Sequence, residues 1–282
     1  MNTNRLKKFA QETRKKLLEQ VSAKVDYVIT TDTPELREKA ALVATIKNEI
    51  AAQGKQQLVD KVAYTWFNRF VALRYMDVHD YQPLGIRIVS ALPGQVSPQI
   101  LQEAIAGHIP EDLNINEQKV FDLLDGRTES RNAENEAYKY LLIGACNYLN
   151  RIFPFLFERI NDYTELLLPD DLTSQFSVLH DVVLGMTEED CSQVECIGWL
   201  YQFYISEWNE ELISSKKRYN VDELAPASQL FTPKWIVRYM VDNTLGQVWS
   251  EINPDTNVTG SLSFYIPPAY NDFLHPREKK TV

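Results

Sequence analysis

Glycine is scarce: ten in 282 residues. That leaves little room for a phosphate-cradling Gly-rich loop, and neither common form of that loop occurs. Cysteine is scarcer still. Cys146, Cys191 and Cys196 are an odd, small set, which argues against a disulfide framework and for a reducing compartment, with the thiols packed in a core. Cys191 and Cys196 have no second pair and no neighbouring histidine, so a zinc site is not expected. His79, His108, His180 and His275 are scattered and form no catalytic or metal-binding spacing. No apolar run approaches the roughly 18–20 residues that span a bilayer. The basic start is followed by mixed sequence rather than the apolar core of a signal peptide. The expectation is a cytoplasmic protein with no membrane contact. Internal repeats, heptad arrays and low-complexity tracts are missing too.

What remains is a well-stocked globular composition, 44% hydrophobic and 24% charged, long enough for one large domain or two. The net charge of −10 argues against a surface that coats nucleic acid throughout. Its distribution is uneven. Residues 1–80 hold 14 Lys and Arg against 10 Asp and Glu, whereas residues 101–200 hold 6 against 19. A phosphate contact is therefore expected on the N-terminal face rather than in the middle.

The pattern is mainly α. Leu6, Phe9, Leu17, Val21, Val25 and Val28 follow a 3–4 spacing that predicts a helix over 3–28. Its other face carries Lys7, Lys8, Lys15 and Lys16; these are the candidate DNA-phosphate contacts, weighed against a plain solvated face. Thr33-Pro34 opens a second helix, to about Ala52. A third, about Gln56–Met76, is apolar nearly all round and carries Tyr64, Trp66, Phe67 and Phe70, as a buried helix would. Asn68, Arg69 and Arg74 interrupt it and read as polar core anchors that need partners. Ile86–Val89 reads as one short strand among Pro83, Gly85, Pro93 and Gly94. Helices are then expected over about 99–106, 117–124, 130–153 and 174–183, and one from the Thr187 cap to about Ser214, followed by the basic exit Lys216-Lys217-Arg218. A second strand is expected over Ser261–Ile266.

The clearest single element is Ser228–Gly246, SQLFTPKWIVRYMVDNTLG. Thr232 is placed to cap a first turn and Pro233 to occupy the first helical position. Trp235, Ile236, Met240, Val241 and Leu245 follow at helical spacing. Gly246 is expected to close the helix.

Two stretches resemble the PglX family of BREX phage-defence, adenine-specific DNA methyltransferases. One is the opening MNTNRLKKFAQETRKKLLEQV together with AYTWFNRFVALRYMDV at 63–78. The other is the Phe-Thr-Pro…Ile-Val…Met pattern of the 228–246 element. The latter is similar to the first cofactor motif of type I and type IIG restriction–modification methyltransferases. The resemblance implies that Phe231, Thr232 and Pro233 line an S-adenosylmethionine site, where a helix N-terminus would face the carboxylate of that cofactor. It implies a helical domain over 1–225 with at most one or two short strands. A cofactor-motif helix follows over 226–253, then a connector over 254–282 that is cut before a Rossmann-like methyltransferase domain. Such enzymes continue with an Asp-Pro-Ala-Cys-Gly-Ser-Gly loop and an Asn-Pro-Pro-Tyr motif. Ile266-Pro267-Pro268-Ala269-Tyr270 is not the latter: Ile replaces the Asn that accepts the target amino group, and Ala separates the prolines from the ring. It reads as a linker.

The implied parent enzyme transfers methyl from S-adenosylmethionine to adenine N6 of DNA, beside other BREX defence proteins, and this chain is not expected to be active alone. No catalytic residue and no metal ligand is assigned. The other reading is a non-catalytic interaction module, whose acidic middle docks other components of the defence system.

Overall fold

The structure, a computed structural model, describes residues 2–157 and 163–267. These hold thirteen α-helices and no strand, as the helical pattern predicts. Two compact units divide the chain, Met1–Ser228 and Gln229–Val282.

The first unit is built around α1 (Thr3–Thr30), which packs against α4 (Lys55–Val78), α9 (Val178–Gly185) and α11 (Glu195–Ser215). Asn2 caps α1 by accepting the Arg5 N–H. Leu6, Phe9, Ala10, Thr13, Leu17, Val21, Val25 and Val28 form its buried face. Each large apolar side chain so buried contributes about 1.5–3 kcal/mol relative to exposure. Where α9 crosses α1 the approach is very close: a Cβ on Gly185 would lie 2.2 Å from the Phe9 ring.

Helix α4 is the buried helix expected from its aromatic content. Phe67 packs against Tyr204 of α11 with ring centroids 4.5 Å apart and the rings tilted by 39°, and Trp66 donates its indole N–H to the Thr164 carbonyl. The polar insertions act as anchors. Arg74 donates to the Met186 carbonyl at 3.1 Å and the Ser90 hydroxyl at 2.8 Å. Arg69 is buried with its guanidinium over the Trp66 ring.

Several boundaries differ from the sequence expectation. The helix expected over 34–52 is broken at Lys39 into α2 (Pro34–Glu38) and α3 (Ala40–Gln53). Lys39 leaves helical geometry there and its ammonium bonds Glu165. The strand expected at Ile86–Val89 does not form. The buried carboxylate of Asp77, at the end of α4, accepts the N–H groups of Ile88, Val89 and Ser90, which removes them from any ladder. The helix expected over 130–153 is α7 (Ala133–Asn150), capped by Asn132. It packs with α5 (Gln99–Ile105) and α6 (Glu117–Leu124). After α8 (Tyr163–Leu166) and α9, the helix expected from Thr187 is two: α10 (Glu188–Cys191) and α11. Thr187 caps α10 as expected. Helix α12 (Val221–Ser228) ends the unit and carries Pro226 within it.

The second unit is α13 (Lys234–Ile252) followed by a 3₁₀ turn at Thr259–Ser261. The strand expected at Ser261–Ile266 is instead this turn and a segment tied to α13. Pro268, Ala269 and Tyr270 of the linker motif, and the rest of the connector to 282, lie outside the described residues.

Candidate functional site

The Phe-Thr-Pro stretch sits at the start of α13, but its capping differs from the expectation. Pro233 is itself the cap residue, with extended backbone (φ −57, ψ 146), and no side chain caps the first turn. The Pro233 carbonyl accepts the N–H groups of Ile236 and Val237 at 3.0 and 3.2 Å. Thr232 is exposed and makes no cap, while Phe231 and Pro233 are half-buried. The helix start thus presents an uncapped positive dipole end beside an open hydroxyl and an aromatic ring.

Helix α13 also continues past Gly246, which does not close it. Gly246 is buried inside the helix because Leu262 packs on it: a Cβ there would lie 2.5 Å from the Leu262 methyl. The Asp242 carboxylate accepts the Phe264 N–H at 3.0 Å. The Asn243 amide donates to the Phe264 carbonyl at 2.7 Å and accepts the Ile266 N–H at 2.8 Å. One side-chain amide therefore pairs the 264–266 backbone as a neighbouring strand would. Sequence reasoning missed this pair; the signal was the adjacent Asp242 and Asn243 directly following the apolar Met240-Val241 of the helix.

Only Asp242 and Gly246 of α13 are buried. Trp235 is 59% exposed, Leu245 65% and Ile252 63%. A groove of about 460 Å³ runs between the helix and the following turn, lined by Val241, Leu245, Gly246, Trp249, Val258 and Leu262. Exposed apolar side chains grouped along one helix are the kind of surface that a contact with further protein covers.

The four candidate lysines all lie on α1, yet each faces a carboxylate. Lys7 pairs with Glu210, Lys8 with Glu12, Lys15 with Glu207 and Lys16 with Asp181. Their neighbours are paired too: Arg5 bonds Asp190 and Arg14 lies between Asp60 and Glu207. Apart from Glu12, which lies on α1 itself one turn from Lys8, these acids come from α4, α9, α10 and α11, so the cationic stripe is largely an electrostatic seam to α1's own neighbours. Lys8 and Lys15 are the most open of the four, with side chains 76% and 64% exposed.

The acidic middle is exposed around α6 and the start of α7. Glu111, Asp112, Glu117, Glu129, Glu134 and Glu136 stand there in solvent with no ion-pair partner among the described residues. No group of three His, Cys, Asp or Glu among the described residues is placed to hold a metal ion. No described helix is long and apolar enough to cross a membrane.

No family model matches the chain. Two curated proteins do. The adenine-specific methyltransferase BrxX of Escherichia coli O9:H4 (strain HS) is 36% identical over 293 residues, covering 95% of this chain and 24% of the relative. The adenine-specific methyltransferase PglX of Lacticaseibacillus casei (strain Zhang) is 33% identical over 324 residues, covering 98% of this chain and 26% of the relative. The chain thus spans about a quarter of the length of the relatives it matches. With nearly all of its own length aligned to both, through the α1 and α4 cores and the Phe-Thr-Pro helix alike, the chain belongs to the PglX family of methyltransferases, as one region of it.

Proposed function

We propose that this chain is a region of a site-specific, adenine-N6 DNA methyltransferase of a BREX phage-defence system, acting in the cytoplasm. The observation that carries the reading is α13. Its first turn is uncapped at Phe231-Thr232-Pro233, and its flank is apolar and open. Both features suit a helix that forms one wall of a cofactor site and packs on further protein. The named activity of the two relatives supports it.

S-adenosylmethionine, when bound in such an enzyme, supplies the methyl group. The residues present fit part of its outline. The uncapped helix end would attract its carboxylate, the exposed Thr232 hydroxyl would accept or donate one hydrogen bond, and the Phe231 ring would cover an apolar edge. Nothing else in the described residues completes a cofactor cage, so the remaining contacts would come from other parts of the enzyme. Lys8 and Lys15 remain able to reach DNA phosphate, because exposed ion pairs of this kind contribute only about 0–1 kcal/mol and exchange readily.

The test is cofactor affinity and methyl transfer to adenine by the intact enzyme carrying Phe231→Ala or Thr232→Ala. A tenfold or greater rise in cofactor dissociation constant is expected for Phe231→Ala. Unchanged affinity in both variants would reject the site. The unpaired carboxylates around α6 and α7 favour a second, compatible role, docking a basic surface of another defence-system component. Pull-down lost on reversing Glu111, Asp112 and Glu117 would support it.

A further inference from the structure

Three consecutive cations stand apart from the paired lysines of α1. Lys216, Lys217 and Arg218 follow directly on α11, all exposed. Among the described residues none of them forms an ion pair or lies over an aromatic ring. Glu210 is engaged by Lys7, and Glu223 accepts the Asn220 N–H at 2.7 Å. Glu211, one helical turn earlier, makes no ion pair with any of the three.

Only Lys216, the C-cap of α11, stands close to the end of the helix that precedes the run; Lys217 and Arg218 lie beyond it. Cations stabilise a helix from its last turn, and the effect fades beyond it. The last turn of α11 contains no basic residue; the three begin at the residue where the helix has ended. Lys216 there has φ 52, a left-handed conformation that costs a side-chain-bearing residue about 1–2 kcal/mol and most often falls to glycine, asparagine or aspartate. The chain thus turns off the helix axis and spreads three positive groups into solvent, without an ion pair among the described residues, in a protein of net charge −10. Half-buried Tyr219 anchors the end of the run.

We propose that Lys216, Lys217 and Arg218 are the principal DNA-phosphate contact of this region, and that the lysines of α1 contribute the smaller share. The inference rests on the reading of the parent enzyme as one that acts on DNA. The physical basis is a difference in cost. A lysine of α1 must first give up a carboxylate, whereas the three exit cations exchange only water and counterions for phosphate.

The experiment measures affinity of this chain for a short duplex as a function of salt. The chain with all three changed to Gln is compared with one carrying Gln at Lys7, Lys8, Lys15 and Lys16. Neutralising three phosphates sets a salt slope of about 2.7 in log–log form. The expected result is that the exit variant loses about 2–3 of the slope and at least tenfold in affinity at low salt. The α1 variant should lose less than half as much. Changing Lys216 and Lys217 to Arg should keep the slope. A wild-type slope in the exit variant, an equal or larger loss in the α1 variant, or no duplex binding by the unaltered chain would each overturn the inference. None of these outcomes touches the cofactor measurement on Phe231 and Thr232, so the two readings fail separately.

Discussion

The Asp77 carboxylate accepts the backbone N–H of Val89 at 2.8 Å, at the end of a Pro- and Gly-punctuated loop. The same carboxylate takes the N–H groups of Ile88 and Ser90 and the Gln82 side-chain amide. A single fully buried acid on α4 thus satisfies three consecutive amides that would otherwise be buried without partners. It is the reason that an apolar, β-branched run is a pinned loop rather than a strand.

Replacing Asp77 by Ala should cost about 3–5 kcal/mol, since several buried donors lose their acceptor at once. Urea denaturation of the chain would read this as a lower midpoint with an unchanged slope. Asp77→Asn should recover only part, because its amide N–H₂ would face backbone donors where an oxygen is needed. A loss below about 1 kcal/mol in Asp77→Ala would show that water replaces the carboxylate.

Gly185 makes the close crossing of α9 over α1 possible. Gly185→Ala would place a methyl group against the Phe9 ring, within 2.2–2.6 Å of three of its carbons. Overpacking of this kind costs about 1–3 kcal/mol. Combining it with Phe9→Leu should return part of the loss, because the smaller side chain opens the contact. Thermal unfolding of the two single variants and the double variant gives the coupling directly.

Burial pushes the Tyr64 hydroxyl up to about 12, and those of Tyr138 and Tyr204 higher still. For Tyr64, desolvation outweighs a hydrogen bond from Asn68 that acts in the opposite direction. The folded protein therefore holds these protons more tightly than the unfolded chain does. The stability they contribute is complete below the ordinary tyrosine value of about 10 and is lost as pH rises towards 12 and beyond. Absorbance titration should show these three rings un-ionised in the folded protein at pH 11, ionising together as the structure opens. Tyr64→Phe should flatten the fall in stability between pH 10 and 12.

The long helices were legible because periodicity is a local property. The apolar stripe of α1 and the all-round apolarity of α4 appear in the structure as a central helix and a buried one. Caps at Thr33 and Thr187 were legible for the same reason, each side chain accepting an amide three residues on. Breaks at Lys39 and after Cys191 were not, because each falls inside a run with good helical patterning. The helix start at Phe231-Thr232-Pro233 is legible in the sequence, but the capping position that local pattern gives to Thr232 belongs in the structure to Pro233. Gly246 has the local signature of a helix stop, yet α13 runs through it. Only the packing of Leu262, sixteen residues on, explains a glycine in mid-helix.

Sequence alone determined the helical class, the family resemblance and the position of the Phe-Thr-Pro turn. Each rests on residues near one another in the chain, where spacing is fixed by the 3.6-residue period. The tertiary structure decided which charges are spoken for. Lys16 and Asp181 are 165 residues apart, and Lys24 and Asp170 are 146 apart, so no local pattern could pair them. The basic face of α1 and the open cations after α11 look alike as composition. They differ because folding pairs the first with carboxylates and, among the described residues, pairs none with the second, and electrostatic interaction depends on distance through space rather than along the chain.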